Sequence, residues 1–258
     1  MVKKKCKLNL DYFTLLSPEP VSFQNVGSIK SPTLREVSRI GYMTYQGYLS
    51  LLLLDTKSYL SALKLHGITQ YESMNFFDIL IYDKSLRTSV CNALNFFMTD
   101  DVSFDEEHNV FFTFNSPVEG HSQKQPTGII HSENYADVTD VILQRVNIRR
   151  NNTDYENVKI KNKTAAHLLE KIKKGSEKSR KKEDKKLSLA NIISSLASHH
   201  KSINMINIWD LTVYQLYDQF NRQRLNDCYD IQSLHIAAWG NSEGKFDDTQ
   251  WFSLMNEY

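Results

Sequence analysis

His199 and His200 are the one adjacent histidine pair in the chain. Imidazole pairs are a common start for a metal site. Adjacent residues on a helix point to different faces, however, and no second Cys or His stands at ligand spacing. The pair therefore reads as surface or packing residues. Cys6, Cys91 and Cys228 are far apart and lack the paired spacing of a zinc site or a redox exchanger. An odd number of cysteines with no secretory leader reads as reduced, intracellular thiols. Cys91 falls beside an apolar helical stripe, where a thiol packs rather than reacts. The carboxylates Asp100, Asp101, Asp105, Glu106 and Glu107 lack the alternating oxygen ligands and the glycine of a calcium loop. Gly175-Ser176-Glu177-Lys178 lacks the spacing of a phosphate-binding loop and lies in a charge run rather than after a strand. No nucleophile–base pair or ligand cluster emerges. The expectation is a protein that is not an enzyme and uses no metal or cofactor.

Two other residue sets bear on recognition. Between Lys159 and Lys186 stand twelve lysines and arginines against four carboxylates, a local charge of +8 in a chain that carries only +1. Such segregation suits packed units joined by a solvated tether. Lys178, Arg180, Lys181 and Lys182 are its densest part and are candidate nucleic-acid contacts. No aromatic residue interleaves with them to stack on bases, so a tether is the favoured reading. The second set is Trp209, Tyr214, Tyr217 and Phe220, at i, i+5, i+8 and i+11. On a helix these lie on or near one face. Core packing and a partner-binding face are both open to them. Only about 70 residues follow the tether, and a unit that small often completes its core against another protein.

The elements that would position these residues are mostly helices. Hydrophobic residues make up 41% of the chain, enough for a real core rather than a disordered chain. Leu8 to Ile29 reads as extended structure and turns, with Val21 to Phe23 alternating like a strand. Ser31 and Pro32 predict a helix start, and apolar residues continue at helical spacing from Leu34 to Leu53. Gly41 and Gly47 leave open one helix or two. Asn75 to Leu80 and Ser85 to Met98 give further helices. Val102 to Phe104 and Val110 to Phe114 flank an acidic turn, which predicts a β-hairpin. Gly128 to His131 reads as a short strand, and a helix follows from Ser132 to about Arg149.

After the tether, Leu187 to Ala197 predicts one helix. A long helical pattern then begins at Ile208, with Asn207 and Asp210 resembling a capping box and Gly240 as terminator. The expected fold is α+β: a mainly helical N-terminal domain (1–158) with a small β-hairpin element, a basic flexible linker (159–186) and a helical C-terminal unit (187–258). The longest apolar run, Leu51 to Leu54, is far short of the roughly 20 residues of a membrane span, and the cytoplasm is the expected location.

Three stretches resemble a known group of proteins. They are Leu15-Leu16-Ser17-Pro18-Glu19-Pro20 followed by Asn25 to Glu36, Asn134-Tyr135 leading a helix after a short strand, and Trp209 to Phe220. Together they resemble small proteins of the structural module of tailed phages infecting low-GC Gram-positive bacteria, often assigned as tail assembly chaperones. The resemblance implies a non-enzymatic morphogenesis factor in the host cytoplasm. It would bind the tape measure protein and tail subunits and keep them soluble during virion assembly. The rival expectation is a nucleic-acid-binding or packaging accessory protein acting through 159–186.

Overall fold

Among the described residues helices dominate, and two small antiparallel sheets of two and three strands complete an α+β fold. The computed structural model describes residues 8–56, 59, 74–115, 125–149, 186–241, 244, 246–253 and 255. The basic segment 159–186, with Lys178, Arg180, Lys181 and Lys182, lies outside the described residues except for Lys186. The chain divides into two compact units, Met1–Arg150 with Trp209–Tyr214, and Asn151–Ile208 with Gln215–Tyr258.

The first unit opens with a short helix, α1 (Tyr12–Leu16), where the sequence pattern predicts only extended structure and turns. Asp11 caps it: its carboxylate accepts from the Thr14 N–H at 2.9 Å and the Thr14 hydroxyl at 2.6 Å. Strands β1 (Val21–Phe23) and β2 (Gly27–Ile29) form a hairpin whose turn carries Asn25 at φ +58°. Helix α2 (Leu34–Ile40) starts at Thr33, not at the expected Ser31. Thr33 and Glu36 close a capping box there, while the Ser31 hydroxyl is spent on the Arg145 carbonyl at 2.7 Å. Gly41, at φ +85°, separates α2 from α3 (Tyr42–Leu53), so the chain forms two helices. Asn75 caps α4 (Phe76–Tyr82) and Asp83 caps α5 (Lys84–Phe97).

The larger sheet has the order β3 (Asp101–Asp105), β4 (Val110–Phe114), β5 (Pro126–Ile130). Its hairpin is the one that the acidic turn predicts, with Asn109 at φ +55°. Exposed strand edges invite pairing with other chains, and polar groups occupy both edges here. Asn95 reads β3 like a neighbouring strand: its carbonyl accepts from Val102 N–H at 2.8 Å and its amide donates to Val102 C=O at 2.7 Å. On β5, Ile129 N–H donates to Asn25 C=O at 2.9 Å, and the Asn134 amide donates to Ile129 C=O at 2.8 Å.

The β1–β2 turn packs against this sheet with almost no space between backbones. A Cβ on Gly128 would stand 2.6 Å from Val26 Cα, so only glycine fits. Thr113, fully buried, donates its hydroxyl to Val26 C=O at 2.5 Å. Asp100 fixes the other side by accepting from Ser28 N–H at 2.7 Å. Aromatic contacts fill the interior: Phe77 lies 6.1 Å from Phe111 and 5.4 Å from Tyr135, and Phe104 lies 5.0 Å from Phe111. Each such pair adds roughly 0.5–1.5 kcal/mol beyond the area it buries.

Helix α6 (Tyr135–Arg145) ends at a fully buried arginine, short of the Arg149 that the pattern predicts. Arg145 donates to the carbonyls of Thr14 at 2.5 Å and Glu19 at 2.7 Å, holding the N-terminal segment. Burial pulls its guanidinium below the ordinary arginine pKa.

Trp209–Tyr214 completes this unit. Leu34 N–H donates to Leu211 C=O and Val213 N–H to Pro32 C=O, both at 2.9 Å, around a bridge between Thr33 and Thr212. Arg35 pairs with Asp210 through Nη2 at 2.6 Å and Nε at 3.1 Å.

The second unit contains α7 (Leu189–His199) and a helix of 27 residues, α8 (Val213–Trp239), whose first two residues belong to the first unit. The expected capping box at Asn207 is absent. Ile208–Asp210 forms a 3₁₀ turn and the α-helix starts only at Val213, because the Leu211 C=O and the Val213 N–H are given to the α2 start. Gly240, at φ +80°, ends α8, its N–H donating to Ile236 C=O at 2.8 Å.

Candidate partner-binding surface

The residues singled out for chemistry are mostly occupied in structural roles. His199 Nε2 lies 3.1 Å from Asp227 Oδ1 on α8. His200 instead accepts from the backbone N–H groups of Ser202 at 3.1 Å and Ile203 at 3.0 Å, closing the turn after α7. Cys91 is half-buried, its Sγ donating to Val102 C=O at 3.3 Å, and burial pushes its thiol up. Cys228 is exposed on α8, and Cys6 lies outside the described residues.

The carboxylates of the β3–β4 region go separate ways. Asp105 caps its own turn by accepting from Glu107 N–H at 2.8 Å and sits 3.0 Å from His108 Nδ1. Glu106 pairs with Arg87 at 3.0 Å, and that guanidinium also stacks 4.3 Å from the Phe104 ring. Among the described residues no group of three or more His, Cys, Asp or Glu is placed to hold a metal ion.

The four aromatic residues do not share one helical face. Trp209 belongs to the 3₁₀ turn, and Trp209 and Tyr214 fall in the first unit. Tyr217 and Phe220 fall in the second. Tyr214 is buried, whereas Trp209, Tyr217 and Phe220 are half-buried.

A different set on α8 meets water. At 1.5 Å per residue this helix of 27 residues is about 40 Å long. Leu216, Phe220, Gln223, Asp227, Ile231, Leu234 and Ala238 follow one stripe, at steps of three and four. Burial falls away along it. Leu216 is fully buried, Phe220, Gln223 and Asp227 are half-buried, and Ile231 and Leu234 are 68% and 71% exposed. Trp239, at the end of the helix, is 78% exposed. A cluster of large apolar side chains left in water marks an interaction site more often than scattered single ones do.

On the flank that carries Arg222, Asn226 and Tyr229, α8 is strapped by the chain that follows. Arg222 donates to the carbonyls of Ser253 at 2.9 Å and Trp251 at 3.3 Å, and Tyr229 stacks on Phe246 at 5.7 Å. A groove of about 250 Å³ lies along this strap, lined by Lys201, Asn226, Tyr229, Asp230 and Trp251. The sequence contains the signal for the exposed set. Ile231 and Leu234 continue the helical spacing of Leu216 and Phe220.

Among the described residues, no helix is long and apolar enough to cross a membrane. No curated protein and no solved structure matches the chain. Residues 179–256, which hold α7, α8 and the strap, match the family model described as the YomV second domain. That is a Bacillus phage-type family, and the likeness points to a phage-related protein.

Proposed function

We propose that the protein is a non-enzymatic phage morphogenesis factor, a tail assembly chaperone that binds the tape measure protein and tail subunits in the host cytoplasm. The observation that carries this reading is the exposed apolar run Ile231, Leu234 and Trp239 on α8, inside the stretch similar to a phage-type domain. A chaperone of this kind needs apolar surface that its own fold leaves uncovered, because its client presents apolar surface until assembly buries it. Tyr217 and Phe220, half-buried, stand earlier on α8, and Phe220 lies on the stripe that Ile231 and Leu234 continue.

Co-expression with the tape measure protein and tail subunits of the same phage tests the reading. The expected result is a higher soluble yield of those subunits and their co-purification with the wild-type chain, insensitive to nuclease. Replacing Ile231, Leu234 and Trp239 together with Ser should abolish both. Retained co-purification by the triple variant overturns the site. Recovery that nuclease eliminates overturns the chaperone reading in favour of nucleic acid at Lys178, Arg180, Lys181 and Lys182.

A further inference from the structure

The partner that fits this face can be narrowed by charge. From Leu225 to Ser253 the sequence carries five carboxylates (Asp227, Asp230, Glu243, Asp247 and Asp248) against one lysine, Lys245. Asp230 is exposed one turn before Leu234. Asp227 stands half-buried one turn before Ile231, with His199 at 3.1 Å and Gln223 at 2.7 Å. Between Asp230 and Trp239 the helix carries no Lys or Arg. Its last turn has no basic residue either. The negative end of the helix dipole is therefore left without a cation from its own sequence, and cations gain there. Hydrogen bonds from Thr249 lower the Asp247 carboxyl below its ordinary value.

The apolar residues have a spacing that a second helix can read. Ile231, Leu234 and Ala238 stand at i, i+3 and i+7, the repeat with which one helix packs along another. Trp239, 78% exposed, follows Ala238 at the end of the helix and turns away from the row. An acidic rim around an apolar row favours a partner with apolar residues on one face and lysines or arginines beside them. It disfavours a second copy of the same face, which would set Asp227 and Asp230 near the same acidic rim on the other chain.

We infer that the distal half of α8 docks a basic amphipathic helix of a partner protein, with Ile231, Leu234 and Ala238 as the apolar seat and Asp227 and Asp230 as its charged rim. This rests on the partner-binding reading above and names the chemistry of the partner. Lysines of the docked helix reach the carboxylates at its edges, and the apolar row sets its register.

The test titrates the full-length protein into two labelled synthetic peptides, followed by fluorescence anisotropy. One peptide is an amphipathic helix of leucine and lysine, the other the same pattern with glutamate for lysine. The leucine–lysine peptide should bind at least tenfold more tightly. That preference should shrink between low salt and about 1 M, as the screening length falls to about 3 Å. Ile231→Ser with Leu234→Ser should weaken it at least tenfold while circular dichroism is unchanged, and Asp230→Asn should reduce the preference without abolishing binding. Equal affinity for the two peptides overturns the charge assignment, and an unaffected double variant overturns the seat. Concentration-dependent self-association that Leu234→Ser abolishes, with neither peptide bound, makes a second copy the occupant and overturns the inference. If tail subunits still co-purify through Ile231 and Leu234 while the peptides bind alike, the chaperone reading stands and only the basic class fails.

Discussion

Around β4 and β5 the tightest approach of backbones admits only glycine, whereas the distal half of α8 sets branched and aromatic side chains in water. Gly128 admits the Val26 backbone, Thr113 satisfies its carbonyl, and Arg145 holds two carbonyls of the N-terminal segment. On α8 the comparable positions are Ile231, Leu234 and Trp239, which are large, apolar and mostly exposed. The difference separates two uses of sequence. A packed interior is recognised by what a substitution would break within the chain. A docking face is recognised by apolar residues whose loss costs the isolated chain little.

That contrast can be broken first at Gly128. Gly128→Ala places a Cβ 2.6 Å from backbone atoms of Val26 and Asn25, which cannot yield as a flexible side chain would. The expected cost is about 3 kcal/mol, the upper end of overpacking, read as a lowered urea midpoint with an unchanged slope. An effect below about 1 kcal/mol would mean that the hairpin turn is not held against the sheet as described.

Arg145→Met keeps the bulk of the side chain but removes both charged donors. The carbonyls of Thr14 and Glu19 lose their partner, which costs about 2 kcal/mol, partly offset because no guanidinium need be buried. The expected signature is local: limited proteolysis should cut near Thr14 to Glu19 before the rest of the first unit opens. Uniform destabilisation without early cleavage would assign Arg145 to general packing.

A smaller effect is tied to pH. Burial alone would push the Glu36 carboxyl up, but Lys30 at 2.7 Å and the Thr33 N–H outweigh it and hold it below the ordinary glutamate value. A lowered folded pKa gives stability that is present above the unfolded glutamate pKa and lost as pH falls through the folded one. Glu36→Gln should therefore flatten the loss of thermal stability across that acidic window. The difference from wild type should be largest near neutrality and vanish in strong acid. A constant difference at every pH would tie the loss to the capping geometry rather than to the charge.

These positions differ in how visible they are in the sequence. The β3–β4 hairpin is legible because Val110 to Phe114 alternates after an acidic turn, and Gly41 is legible as the break in the second and third helices. The start of α2 is not. Ser31 and Thr33 are equally good caps by type, and the choice is made by Arg145, whose carbonyl takes the Ser31 hydroxyl from 114 residues away. Helix α1 is too short, at five residues, for any periodicity to appear. The start of α8 is misread because helical spacing runs through Leu211 to Val213, where the Leu211 C=O is committed to Leu34 and the Val213 N–H to Pro32. The aromatic set Trp209, Tyr214, Tyr217 and Phe220 depended on that unbroken helix. Periodicity shows which residues share a stripe of α8; it does not show how far along the stripe the chain supplies something to cover them.

Leu216 and Leu234 isolate that last point. They stand 18 residues apart, five full turns of an α-helix, so they occupy the same angular position on α8. Leu216 is fully buried and Leu234 is 71% exposed. Replacing Leu216 with Ala should cost about 3 kcal/mol because it empties packed space. Leu234→Ala removes atoms that already touch water, so its expected effect on thermal unfolding is within about 0.5 kcal/mol. On the proposed chaperone function the same substitution should weaken capture of tail subunits, because a docked partner would bury those atoms. A Leu234→Ala protein destabilised as much as Leu216→Ala would mean that the chain itself covers this position in solution, and the face would be core rather than a docking site.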